Sequence, residues 1–125
     1  MKILIVSESA SQATYWERLI ALVVPEADLT ITTELFNIQV HQEPFDLIFL
    51  VSHDGNGEFY KWVQYADANG LPLICSVRQI NEQVIEVLKK YGIKGYVNVH
   101  CSLDELETAI ELVSQRKGTF LKFIN

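Results

Sequence analysis

Few side chains in this 125-residue sequence combine type and spacing in a way that supports chemistry. The densest group is His53-Asp54-Gly55-Asn56-Gly57, with two glycines among polar residues. That is loop composition. Such a loop can cradle an anion or small ligand through backbone amides, which makes His53, Asp54, Gly55 and Gly57 candidate ligand-loop residues. A plain flexible turn is the simpler reading of that composition, and neither a GxGxxG nor a Walker pattern occurs in the chain. Glu8 and Asp54 are carboxylates that could meet and hold a cation weakly, but two carboxylates make a poor magnesium cage without a third oxygen ligand. His41, His53 and His100 are scattered, and Cys75 and Cys101 form no metal-type pair. No metal site and no cofactor are expected from this inventory.

The elements that must position these residues follow from composition and periodicity. The length predicts one domain over residues 1–125, large enough to bury a core. A 49% hydrophobic and 21% charged make-up suits a folded chain. Net charge is −6, which disfavours direct nucleic-acid binding by this domain. Met1-Lys2 leads straight into a strand-like run with no signal-peptide h-region. No apolar run reaches the roughly 18–20 residues that cross a bilayer. The expectation is a cytoplasmic protein with reduced thiols and no membrane contact.

Short apolar runs alternate with amphipathic segments, the pattern of βαβ units around a parallel sheet. Strands are predicted at Lys2–Ser7, Leu29–Thr32, Phe45–Val51, Leu71–Val77 and Gly95–Val99. Helices are predicted at 11–24, 34–42, from Phe59 to Ala66, from Val84 to Tyr91, and from Leu103 toward Gly118. In the first helix, Tyr15, Leu19, Leu22 and Val23 fall on one face at i, i+4, i+7 and i+8. Ser102 and Glu105 make a capping box before the last helix. Strict alternation predicts an α/β fold: a doubly wound, five-stranded parallel sheet of order 2-1-3-4-5, flavodoxin-like, with any site at the strands' carboxyl ends. The apolar tail from Thr119 to Ile124 either folds back on the domain or begins a connection onward.

With these elements placed, the sequence resembles the receiver domain of bacterial response regulators over essentially its whole length. The motifs that carry the resemblance are KILIVSES, FDLIFLV, LPLICSV and GYVNVHCSLDELETAI. The last is similar to the closing helix of receivers joined to LuxR-type DNA-binding domains. The resemblance implies a magnesium-binding acidic pair at Ser7 and Glu8, of which one acid survives. Asp46 matches the opening aspartate of strand three, and Val51, five residues on, stands at the phosphoryl acceptor position. Val77 stands where the family keeps a sensing Ser or Thr, and Val99 where it keeps a lysine. Phosphoryl transfer needs a nucleophilic oxygen, a metal and a cation beside the transferred group, and valine offers none of them. Asp54 lies three residues past Val51, up to about 10 Å further along an extended chain, and does not replace it. Singly, each valine is also ordinary for a buried strand.

The resemblance therefore implies a pseudo-receiver: a non-enzymatic signalling module, independent of phosphorylation, that acts by protein–protein contact with another signalling protein or as a homodimer. Tyr96 matches the family's aromatic switch, here without a hydroxyl at Val77 to follow. Tyr96, Ile85 and Leu112 are the expected contact residues, on a face formed by the fourth helix, fifth strand and fifth helix. Two alternatives stay open. One is the N-terminal regulatory domain of a LuxR-type transcription factor; the other is a small-ligand-binding flavodoxin-like domain using the 53–57 loop.

Overall fold

Runs of apolar, largely β-branched residues become strands, and the stretches between them become helices. The computed structural model describes residues 1–32, 45–51, 57–78, 82–90, 95–115 and 121–123. In chain order the elements are β1 (Lys2–Ser7), α1 (Ala10–Val23), β2 (Asp28–Thr32), β3 (Leu47–Val51) and α2 (Gly57–Ala68). They continue as β4 (Leu73–Val77), α3 (Glu82–Lys90), β5 (Gly95–Asn98), α4 (Leu103–Ser114) and β6 (Leu121–Phe123). The expected helix at 34–42 lies outside the described residues.

All strand pairs are parallel, and the sheet order is β2-β1-β3-β4-β5-β6. The anticipated 2-1-3-4-5 arrangement is therefore present, with one strand added. The tail folds back on the domain as far as Leu121–Phe123, which pairs with Gly95–Val97 at the sheet edge. α4 supplies the crossover that a parallel neighbour requires.

Every residue of β3 and β4 is buried, as a parallel sheet covered on both faces demands. The alternation of side chains divides the interior in two. Ile3, Ile5, Leu47, Phe49, Val51, Ile74 and Val97 pack with Trp16 and Ile20 of α1 and Leu106, Ile110 and Val113 of α4. Leu4, Val6, Ile48, Leu50, Cys75, Val77 and Tyr96 pack with Trp62, Val63 and Ala66 of α2 on the opposite face. Each half thus holds one buried tryptophan, and the Trp16 ring lies 4.9 Å from that of Phe49.

Local signals fix the ends. Ser9 caps α1 by accepting a hydrogen bond from the Gln12 amide. α2 ends in a Schellman turn: Leu71 N–H donates to the Ala66 carbonyl and Gly70, at φ 64°, occupies the left-handed position. The expected capping box closes on α4, with Glu105 N–H donating to Ser102 Oγ and Ser102 N–H donating to Glu105 Oε1, both at 3.1 Å. Asp46 aligns β1 beside β3: Lys2 N–H donates to its carboxylate at 2.8 Å, and its own amide donates to the Lys2 carbonyl at 2.8 Å.

One expected helix face is wrong. α1 turns Ala13, Trp16 and Ile20 into the core and leaves Tyr15 and Leu22 exposed, at 49% and 65%. Leu19 and Val23 are half-buried at its flank. Ala13 is small enough to let the helix approach the sheet, and Trp16 carries more apolar area than either exposed residue, so that stripe wins.

Candidate functional site

The carboxyl ends of β1, β3, β4 and β5 lie side by side, and the strand register determines which residues share a level. Ser7 is paired with Val51, Val51 with Ser76, and Ser76 with Val97. These four form one row across the sheet on the α1/α4 face. The row is closed to solvent: Val51 is 4% exposed and Ser76 0%.

Val51, which the resemblance gives as the acceptor position, packs into the α1/α4-side core. Ser7, also buried, spends its hydroxyl locally: it donates to the Ser9 carbonyl at 3.0 Å and accepts from the Ser9 amide at 3.2 Å. Glu8, next in the chain, is exposed. Among the described residues, the oxygen donors of this corner are thus the exposed Glu8 carboxylate, the Ser7 hydroxyl already turned into the backbone and the buried Ser76 hydroxyl. They do not fit magnesium, which asks for several hard oxygens in near-octahedral array. Among the described residues, no three of His, Cys, Asp and Glu converge as a metal-binding group.

The other two valines are not level with Val51. Val77 is one residue beyond Ser76 and points to the opposite face, where it joins the α2-side core with Tyr96. Val99 lies past the end of β5, packs against the α1/α4-side core, and donates its amide to the Val77 carbonyl at 3.1 Å. The three valines share one end of the sheet without facing a common point.

Ser76 is the residue that sequence reading missed. Its hydroxyl is fully buried and finds no hydrogen-bond partner among the described residues. Such an orphan costs about 1–3 kcal/mol. The available signal was a single hydroxyl inside the otherwise apolar run LPLICSV, one residue before the position given to the sensor.

The contact-surface assignment of Tyr96 needs correction. Tyr96 is 0% exposed and sits in the α2-side core, so it cannot present its side chain to a partner. Burial also pushes its phenol pKa up. Its place in the middle of the register between β4 and β6 explains this: a strand that is no longer an edge has both faces and both flanks covered. Leu112 is half-buried on α4. Ile85 belongs to α3, and its side chain lies outside the described residues, as do His53, Asp54 and Gly55 of the expected ligand loop. Gly57 opens α2.

Neither cysteine offers a ready nucleophile. Burial drives the Cys75 thiol far above its ordinary range. Cys101, half-buried, is pushed up to about 11, first by burial and then by the Glu105 carboxylate beside it. Among the described residues no helix is long and apolar enough to cross a membrane.

No protein-family model matches the chain, and none of the curated proteins searched matches it in sequence. Solved structures do match it in shape. A pilus assembly-related protein from Burkholderia pseudomallei superimposes with a TM-score of 0.80 at 16% identity, over 93% of this chain and 90% of that one. The signal receiver domain of a DNA-binding response regulator from Colwellia psychrerythraea gives 0.78 at 13% identity, over 92% and 98%. A LuxR family DNA-binding response regulator from Silicibacter pomeroyi gives 0.78 at 12% identity, over 100% and 97%. At such identities the likeness is one of architecture, and the architecture is that of the response regulator receiver domain.

Proposed function

We propose that this domain is a pseudo-receiver: a signalling module that works by protein–protein contact, without phosphorylation and without catalysis of its own. The observation that carries this reading is the closed row Ser7–Val51–Ser76–Val97, in which the acceptor position is a buried valine. A receiver's chemistry needs an exposed carboxylate, a caged divalent ion and a cation at this end of the sheet. Among the described residues, the row at this end holds the methyl groups of Val51 and Val97, a committed serine and a buried serine hydroxyl. The fold likeness to a pilus assembly-related protein suits a domain used for contact.

The test is titration of the protein with beryllofluoride and magnesium, followed through the backbone amide resonances of Val6, Ser7, Leu50 and Val51. The expected result is no saturable shift at any of the four. Saturable shifts there would overturn the reading, because they would place a phosphoryl mimic in a pocket that the packing leaves no room for.

A second reading, the N-terminal regulatory domain of a LuxR-type transcription factor, draws on the fold likeness to such a regulator across the whole chain. It is compatible with the first. The reading frame beyond Asn125 separates a stand-alone module from a regulator with an output domain.

A further inference from the structure

The sequence holds two Asn-Gly steps, Asn56-Gly57 and Asn69-Gly70. Such a step is chemically labile, because glycine has no Cβ to shield its backbone nitrogen from the asparagine side chain. Asn69-Gly70 follows the last residue of α2, and both residues are exposed. A Cβ added at Gly70 would meet nothing within 4 Å, so water reaches the peptide bond between the two.

The end of the helix holds this pair in place. Asn69 Nδ2 donates to the Tyr65 carbonyl at 2.8 Å, and the Asn69 amide donates to the same oxygen at 3.1 Å. Gly70 N–H donates to the Asp67 carbonyl at 3.2 Å. The side-chain nitrogen that would leave and the backbone nitrogen that would attack are thus both engaged elsewhere while the turn is closed. These bonds lie at the surface: Asp67, Ala68, Asn69 and Gly70 are all exposed. Exposed last turns of helices open without the rest of the fold.

We propose that Asn69-Gly70 is a site of spontaneous covalent modification, held in check by the end turn of α2 and converted when that turn opens. The Gly70 nitrogen, having given its proton to solvent, attacks Asn69 Cγ. That bond forms, the Cγ–Nδ2 bond breaks, and ammonia leaves a cyclic imide behind. Water then opens the ring. Cleavage between Cγ and the Gly70 nitrogen yields aspartate at position 69; cleavage at the main-chain carbonyl carbon yields isoaspartate, with Cβ in the backbone. The net change is amide plus water to acid plus ammonia, with nothing oxidised or reduced. Neither product rebuilds the turn. Aspartate has no Nδ2 to donate to Tyr65 and sets a negative charge at the negative end of the helix dipole. Isoaspartate lengthens the backbone and moves Gly70 and Leu71 out of register with the Asp67 and Ala66 carbonyls that they cap. The step therefore runs one way, and it loosens the helix that carries Trp62, Val63 and Ala66 into the α2-side core.

The experiment follows the full-length protein at pH 8, native and in guanidinium chloride, by tryptic peptide mapping over time. Peptide 62–78 has Asn69 as its only asparagine, and Asn56 falls in a different peptide, 19–61. The expected result is an amide-to-acid mass change in 62–78, as both aspartate and isoaspartate. The native rate should be roughly ten- to a thousandfold below the unfolded rate, the protection given by the few hydrogen bonds of one turn. Equal rates in the two conditions would overturn the gating by the turn. Protection beyond that range would mean that only global unfolding frees the pair, and would overturn it as well. Aspartate without isoaspartate would rule out attack by Gly70. Two variants read the structural consequence. Asn69→Asp should lower Tm by roughly 3–8 °C, and by more than Asn69→Ala, which loses the same donor but adds no charge. An unchanged Tm in Asn69→Asp would show that the product rebuilds the turn, and the one-way step would fall.

Discussion

Replacing Val51 with aspartate is the shortest step back toward a phosphoryl-accepting side chain, and the structure sets its cost. Val51 is 4% exposed in the α1/α4-side core, and its neighbours in register are Ser7 and Ser76, neither of them charged. Removing the valine from that environment forfeits about 1.5–3 kcal/mol of apolar burial. In the unfolded chain the new carboxyl ionises near pH 3.9, so keeping it neutral in the folded core costs up to about 1.36 × 3.1, or about 4 kcal/mol, at pH 7. The total, up to roughly 6–7 kcal/mol, rivals the whole stability of an ordinary domain. The pH dependence has a definite sign. A folded-state pKa raised above the unfolded one gives a penalty that is absent below about pH 3.9 and grows as pH rises toward the folded value. Val51→Asn carries similar bulk and polarity but does not ionise, so it isolates the charge. Urea unfolding followed by the fluorescence of Trp16 and Trp62, one in each half of the core, reads both variants. Between pH 5 and pH 8 the stability gap between the two should widen by about 2–4 kcal/mol. A gap that stays flat, or an aspartate variant as stable as wild type at pH 7, would mean that the carboxylate is hydrated and the corner open, refuting the closed row.

Other substitutions probe the remaining positions. Ser76→Ala removes an orphan hydroxyl from the core, so stability should hold or rise by about 1 kcal/mol; a loss of that size in a denaturant titration would reveal an unseen partner. Tyr96→Ala should cost about 3–5 kcal/mol, because it empties a fully buried aromatic site; a variant with unchanged midpoint would return Tyr96 to the surface. Cys101 should react slowly with a thiol reagent at pH 8 and faster as pH approaches about 11, while Cys75 reacts only on unfolding. Rapid labelling of both in the native protein would contradict the burial assigned to them.

The sheet was legible in the sequence because parallel strands covered on both faces must be apolar throughout, and FDLIFLV and LPLICSV satisfy that without ambiguity. The α4 capping box was equally readable, since it is a local rule with its partners three residues apart. Helix faces were harder. α1 carries two overlapping apolar stripes, and the buried one contains Ala13, whose value lies in being small rather than greasy. Tyr96 was misplaced for a related reason: its exposure depends on whether anything flanks β5, and the flanking strand comes from residues 121–123, far along the chain and only three long. Ser76 was hidden by register. Only the pairing of Val51 with Ser76 shows that a hydroxyl, not Val77, stands level with the acceptor position. Non-local pairing decides the last two, and a single sequence carries no direct signal for it.

A pseudo-receiver takes no phosphoryl group at its acceptor corner. The most direct test of that property is the intact mass of the full-length protein after incubation with acetyl phosphate and magnesium, beside a receiver that is phosphorylated under the same conditions. The mass of this chain should stay unchanged while the control gains one phosphoryl group. A stoichiometric, acid-stable and base-labile adduct on this protein would contradict it.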